Sequence, residues 1–288
     1  MPARPEAHTP RFFAWLYSTP SQQPVLAALC GIEREIGASL EPGIDHHVAH
    51  TRLQWWREEL DRFAAGKPVH PLTRELQARL PGSAPAIPAG SPPAGLSGLV
   101  DAATWDLAGA TFERREELTA YCRRWAAAMV VPLAPATASL GNGSRPSAAE
   151  GGWIDFGAAL RELELLGRLA ADARCGRVRL PLDELERAAV APEAVAGPPW
   201  PQALADILHG RHRALRRQLA AAVDGLSADA QRGCRGLLVW AAIAWQASLR
   251  AERALPLPAA PSIAGAAAAN WRAWRAARAA GAGRLRLR

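Results

Sequence analysis

Arg168 and Asp172 stand four residues apart in the stretch from Leu160 to Leu185, LRELELLGRLAADARCGRVRLPLDEL. On a helix that spacing stacks two side chains on one face, and two carboxylates so placed can jointly hold a divalent ion. Here a cation takes one of the two places. Arg168 is positioned to occupy the Asp172 carboxylate, which leaves little negative charge to recruit a metal, so Asp172 stands as a lone metal-ligand candidate. The basic residues that follow, Arg174, Arg177 and Arg179, point to other chemistry. With Arg168 they make a candidate pocket for phosphate or diphosphate bound without metal, because the guanidinium fork matches phosphate oxygens. The alternative is a solvated basic turn paired with Asp183, Glu184 and Glu186. Asp106 and Tyr121 are candidates to line the same cavity or to be satisfied polar groups of the core.

Two further constellations are weaker. Asp45-His46-His47-x-x-His50 puts His46 and His50 one turn apart, as metal ligands would be, but Asp45 reads more simply as a helix N-cap and the histidines as packing beside Trp55. Gly141-Asn142-Gly143-Ser144 is a turn that lacks the preceding strand and the following Lys-Ser/Thr of a phosphate-binding loop. Cys30, Cys122, Cys175 and Cys234 form no C-x-x-C pair, which disfavours a zinc ribbon or a redox dithiol and favours reduced, mostly buried thiols.

The elements that must position these residues are helical. Apolar spacing of 3.6 dominates and β-branched alternation is nearly absent, so the chain reads as all-α. Helices are expected at 21–39, 45–65, 71–80, 99–115, 116–131, 153–173, 200–222 and 227–254. The second places Leu53, Trp56, Leu60 and Phe63 on one stripe, with Arg57–Asp61 and Glu58–Arg62 pairs on its other face. Residues 81–98, rich in Pro and Gly, read as an exposed loop within one domain spanning 1–288, and further loops are expected near 141–146, 191–201 and 255–264. Residues 265–288 form a basic tail with Trp271, Trp274 and six arginines but no acid. Such a tail suits an anionic membrane surface, the other reading being a frayed, solvated terminus.

At 288 residues, 49% apolar and 21% charged, the chain can bury a substantial core. The net charge of +7 invites a nucleic-acid reading. Yet Lys67 is the single lysine among 34 basic residues, the arginines are spread along the whole chain, and no nucleic-acid motif accompanies them, so no nucleic-acid partner is expected. The first residues are broken by Pro10 and Pro20 and carry too short an apolar run for a signal peptide, and no apolar run is long enough to cross a bilayer. The expectation is a cytoplasmic protein, with peripheral membrane contact through the tail left open.

Several segments, in order, resemble the squalene/phytoene synthase family. Trp55-Trp56-Arg57-Glu58-Glu59-Leu60, Gly66 and His70-Pro71-Leu72-Thr73 resemble its W-R-x-E-L…G…H-P signature. Asp106-Leu107 with Glu117-Leu118-x-x-Tyr121-Cys122 resembles its D-L…E-L-x-x-Y-C helix pair, and Asp172 to Pro181 its second aspartate motif. The resemblance implies an isoprenoid-synthase-like helical bundle around a central cavity, in which two aspartate-rich helices bind two prenyl diphosphates through magnesium. It also exposes what is missing. The leading acids of the first motif fall at Gly37 and Ala38, one acid of the second is replaced by Arg168, and the tyrosine usual before Leu-Pro is replaced by Arg179. Glu33 and Glu35 are nearby but project from different helix faces and read as solvated surface.

The variant motifs look closer to a divergent branch of the family that includes a mitochondrial assembly factor for respiratory complex I. The resemblance therefore implies a protein that has lost prenyl transfer, needs no cofactor, and acts in binding or assembly, with an isoprenoid or lipid ligand and a protein partner as candidates. The alternative is an active, magnesium-dependent head-to-head prenyl transferase acting on farnesyl or geranylgeranyl diphosphate. In that version Asp172 survives as a ligand, Glu33, Glu35 or Glu41 substitute for the missing acids, and Arg174 and Arg177 contact diphosphate.

Overall fold

Apolar residues recur at helical spacing along most of the chain, and the computed structural model has thirteen α-helices and no strand among the residues it describes, 4–41, 43–80, 95–134, 146–259 and 263–288. They are α1 (Pro10–Tyr17), α2 (Gln22–Gly37), α3 (His46–Ala64), α4 (Pro71–Arg79), α5 (Ser97–Leu107), α6 (Arg115–Met129), α7 (Pro146–Gly167), α8 (Leu169–Arg174), α9 (Leu182–Arg187), α10 (Gln202–Asp224), α11 (Ala228–Gly233), α12 (Arg235–Ala254) and α13 (Ile263–Gly281). The all-α expectation holds. α6 packs on α7, α1 on α12, α12 on α13, α2 on α4 and α10 on α7. A shared apolar core runs through them, with Phe13, Phe112, Tyr121, Trp125, Trp153, Phe156 and Trp240 buried. A Cβ on Gly157 would lie 2.6 Å from Ala126 Cβ and 2.8 Å from Val130 Cγ2, so glycine is what lets α7 close on α6. No described helix is long and apolar enough to cross a membrane.

Helix breaks account for most departures from the sequence reading. The helix expected over 99–115 stops at Leu107, where Gly109 takes φ +61° and the chain turns to bury Phe112. The helix expected over 153–173 is two, α7 and α8, parted at Arg168 with φ −112° and ψ 7°. That over 227–254 parts at Cys234. Pro10, read as a breaker, instead opens α1 at its first turn, with the Thr9 side chain accepting from the Phe12 amide. The Arg57–Asp61 pair is not formed; Arg57 crosses to Asp101 of α5 at 3.0 Å, while Glu58–Arg62 stands at 3.9 Å. The tail is a docked helix, α13, with Ala273, Ala277 and Ala280 buried. Residues 81–94 of the expected loop and the Gly141–Ser144 turn lie outside the described residues.

The segment resembling W-R-x-E-L…G…H-P is a structural latch. Glu59 of α3 is 0% exposed and accepts from the Val69 and His70 amides, both at 2.9 Å, from the Thr73 hydroxyl, and from Arg62 Nε at 2.9 Å. Burial alone would raise its pKa, but these donors, Thr73 foremost, hold it below the ordinary carboxylate value. Gly66, at φ +74°, makes the turn that brings the donors back over α3, and the His70 ring then caps α4 by accepting from the Leu72 amide.

A second buried network joins α10 to α12. His212 Nδ1 lies 2.9 Å from Ser248 Oγ, Arg216 donates to the same hydroxyl and to Glu252, and Glu252 also takes Arg213 at 2.6 Å and His209 at 3.4 Å. Burial, then the Arg216 charge, outweighs the opposing pull of Glu252 and lowers the His212 pKa from 6.5 to about 4. Glu252, held down by its arginine and histidine donors against burial, falls from 4.5 to about 2. Both depressed values mean that the unfolded chain binds the proton first, so stability is complete above about 6.5 and drains as pH falls. The thermal midpoint should drop between about pH 7 and about pH 4.5, and His212→Gln should flatten the upper part of that drop. A wild-type midpoint that stays level over this range would contradict the network's assigned ionisation.

Candidate functional site

After α8 the chain turns at Gly176, φ +77°, and returns beside the 112–113 segment, where the Leu182 amide donates to the Phe112 carbonyl at 2.8 Å. This return drives Arg179 inward, to 4% exposure. Its Nη1 and Nη2 reach the two carboxylate oxygens of Asp106 on α5 at 2.6 and 2.9 Å, and its Nε lies 3.4 Å from Asp172 Oδ2 on α8. The Tyr121 hydroxyl donates to Asp106 Oδ2 at 3.2 Å, and the guanidinium lies over the Tyr121 ring at 5.5 Å. Burial works against the Arg179 charge, but the Asp106 hydrogen bonds and the neighbouring Tyr121, Asp106 and Asp172 more than offset it, so its pKa stands above the ordinary arginine value. Burial raises the Tyr121 pKa in turn.

Asp106, Tyr121 and Asp172 are therefore brought together, and the cation that holds them is Arg179. Arg168 is 3.7 Å from Asp172 Oδ1, but its side chain is 76% exposed because the break after Gly167 places it at the start of α8, outside the bundle. Arg174 turns away to the Ala196 carbonyl at 3.3 Å, and Arg177 is half-buried. The four arginines do not converge on one pocket. Nor are Asp183 and Glu184 their partners: Asp183 pairs with Arg187 and Glu184 with Arg115.

A second polar cluster lies where α1, α2, α6, α7 and α12 meet. Arg11 binds Glu33 at 2.6 Å and Glu164 at 2.9 Å, Arg161 reaches Glu164 at 3.2 Å, and the Trp125 indole donates to Glu33 at 2.8 Å. Both guanidinium groups lie over Trp125, and Arg11 also lies over Trp240. Glu33 is thus an interior residue, not the solvated one expected, because its helix position faces Trp125; Glu35 points outward to His70 Nε2 at 3.2 Å. Arg11, Arg161 and Glu164 were missed in the sequence. The available signal was the run Trp153–Leu166, apolar on nearly every face, whose charged residues cannot all reach water. On another face of α7, buried Glu162 takes both Arg115, at 2.7 Å, and Arg211, beside an open cleft of about 410 Å³.

Five carboxylates of these clusters, Glu33, Asp106, Glu162, Glu164 and Asp172, therefore face inward, and each touches an arginine. No three His, Cys, Asp or Glu side chains converge as metal ligands among the described residues. Gly37 ends α2, and Ala38 begins a short 3₁₀ turn. The donor set does not fit a magnesium–diphosphate cluster, which needs several unpaired carboxylate oxygens on one centre. Asp45 serves as the N-cap of α3, accepting from the His47 and Val48 amides; His46 and His50 stack edge-on at 4.6 Å. The four cysteines are free, and burial pushes the Cys30 and Cys234 thiols up to about 12, away from nucleophile chemistry.

A helical bundle with acid-bearing helices turned toward its axis is the architecture of an isoprenoid synthase. The chain belongs to the squalene/phytoene synthase family, whose profile matches residues 6–274. A dehydrosqualene synthase solved in complex with ligand superposes with a TM-score of 0.72 at 15% identity, covering 94% of this chain and 89% of that one. The squalene synthase HpnC from Alicyclobacillus acidocaldarius gives 0.58 at 16% identity, covering 84% and 87%. Identities this low establish the shared fold. No curated protein matches the chain.

Removing Arg179 strands two buried carboxylates. Arg179→Met should lower stability by on the order of 3–5 kcal/mol in urea unfolding, and adding Asp106→Asn with Asp172→Asn should recover a large part of that loss. A loss below about 1 kcal/mol, or no recovery in the triple variant, would contradict the pairing.

Proposed function

We propose that this squalene/phytoene synthase-like chain has lost prenyl transfer and works as a binding or assembly protein on the retained bundle. The observation that carries the reading is the Arg179 fork, which occupies Asp106 completely and one oxygen of Asp172. Ionising a prenyl diphosphate requires the leaving group's charge to be met by metal, and metal requires free carboxylate oxygens. Pulling Arg179 off two buried acids costs several kcal/mol, and each 1.4 kcal/mol is about tenfold in rate. At the positions where the resemblance places the first motif's leading acids, Gly37 and Ala38 offer no ligand at all. The matched dehydrosqualene synthase holds a ligand, and by that likeness an isoprenoid or other lipid-like chain is the ligand class to expect here. A protein partner is the second class, in keeping with the sequence likeness to an assembly factor.

The test is magnesium-dependent release of diphosphate from farnesyl or geranylgeranyl diphosphate. Wild type, Arg168→Asp and Arg168→Asp/Arg179→Tyr should all stay at the level of buffer, because the facing motif stays empty even when Asp172 is freed. Turnover by the wild type would overturn this reading and favour head-to-head prenyl transfer built on the inward acids Glu33, Glu164 and Asp172.

A further inference from the structure

α13 presents two faces of opposite character. Ala273, Ala276, Ala277 and Ala280 are buried, and the helix packs on α12, α11 and α1. Small residues let it lie close and fix its rotation, so whatever lies opposite is held toward solvent. Opposite lie Trp271, Trp274, Arg275 and Arg278, whose spacing of three, four and seven residues makes one stripe. Trp271 and Trp274 are 58% and 40% exposed, and their rings stack at 4.8 Å and 24°. Arg278 lies over the Trp274 ring at 5.5 Å. Neither Arg275 nor Arg278 pairs with a carboxylate among the described residues, whereas Arg286, further along, is engaged by Asp224 at 3.1 Å.

We propose that this stripe is a docking site for anionic lipid headgroups. Two adjacent exposed indoles are costly on a surface that only water touches, and they suit the amphipathic headgroup layer, where the unpaired guanidinium groups meet phosphate. Residues 263–288 carry no Asp or Glu to oppose such a surface. A single-stranded nucleic acid fits less well, because the two rings already cover each other and leave little face for bases to stack on. The contact is adsorption and not insertion, since α13 is not apolar enough to span a bilayer. It stands or falls independently of whether prenyl transfer is lost.

The experiment is co-sedimentation of the full chain with vesicles of phosphatidylcholine alone or with about one third phosphatidylglycerol, at about 0.1 M salt. Wild type should pellet with the anionic vesicles only. Trp271→Ala/Trp274→Ala and Arg275→Glu/Arg278→Glu should each lower partitioning at least about tenfold, with thermal midpoints unchanged because the four side chains are exposed. Arg52→Glu/Arg217→Glu, an equal change of net charge at exposed positions on α3 and α10, should bind as wild type does. If the tryptophan variant does not fold, the two charge-reversal variants carry the comparison alone. The proposal is overturned if wild type ignores anionic vesicles, if the control loses as much as the stripe variants, or if the stripe retains a single-stranded oligonucleotide but no vesicle.

Discussion

The guanidinium of Arg179 lies between a carboxylate from α5 and another from α8, and the polar interior is organised around that contact. A buried arginine is tolerable only where acids surround it, and buried acids are tolerable only where cations do. The two requirements meet here with little left over: Asp106 spends both oxygens on the fork, Asp172 one, and Tyr121 closes the remaining side. The charges of Asp106 and Asp172 are thus met by an arginine of the chain itself.

The same arrangement recurs along α7. Arg161 and Glu164 meet Glu33 and Arg11 on one side of it, and Glu162 meets Arg115 and Arg211 on another. Such pairs add little net stability compared with apolar packing, but separating one is costly, so they fix which residues face each other. The bundle keeps its shape while its interior charges are committed to one another.

Much of the fold was legible beforehand because α3, α4, α6 and α10 carry apolar stripes: the buried Leu53, Trp56, Leu60 and Phe63 of α3 behind the Asp45 cap fell where periodicity put them. The breaks at Leu107, Gly167 and Cys234 were not legible. Each lies at or within two residues of a glycine, Gly109, Gly167 or Gly233, but glycine is also tolerated inside helices here, as Gly31 and Gly157 are, so the break was not separable from a tolerated glycine. The site suffered from one of these breaks. With 153–173 read as a single helix, Arg168 stood beside Asp172 as its natural partner; it does pair with Asp172 at 3.7 Å, but from an exposed position, while the return after Gly176 delivers the buried Arg179 to the other carboxylate oxygen. That long-range pairing, 73 residues from Asp106, has no local signature.

The most direct measurement of the central claim is manganese binding in the presence of inorganic diphosphate, read by the loss of the free-ion electron paramagnetic resonance signal. If Arg179 has taken the inward acids, wild type should show no saturable manganese uptake at concentrations below about 1 mM, a free energy of about −4 kcal/mol. Saturable uptake of two or more ions with micromolar affinity would contradict it.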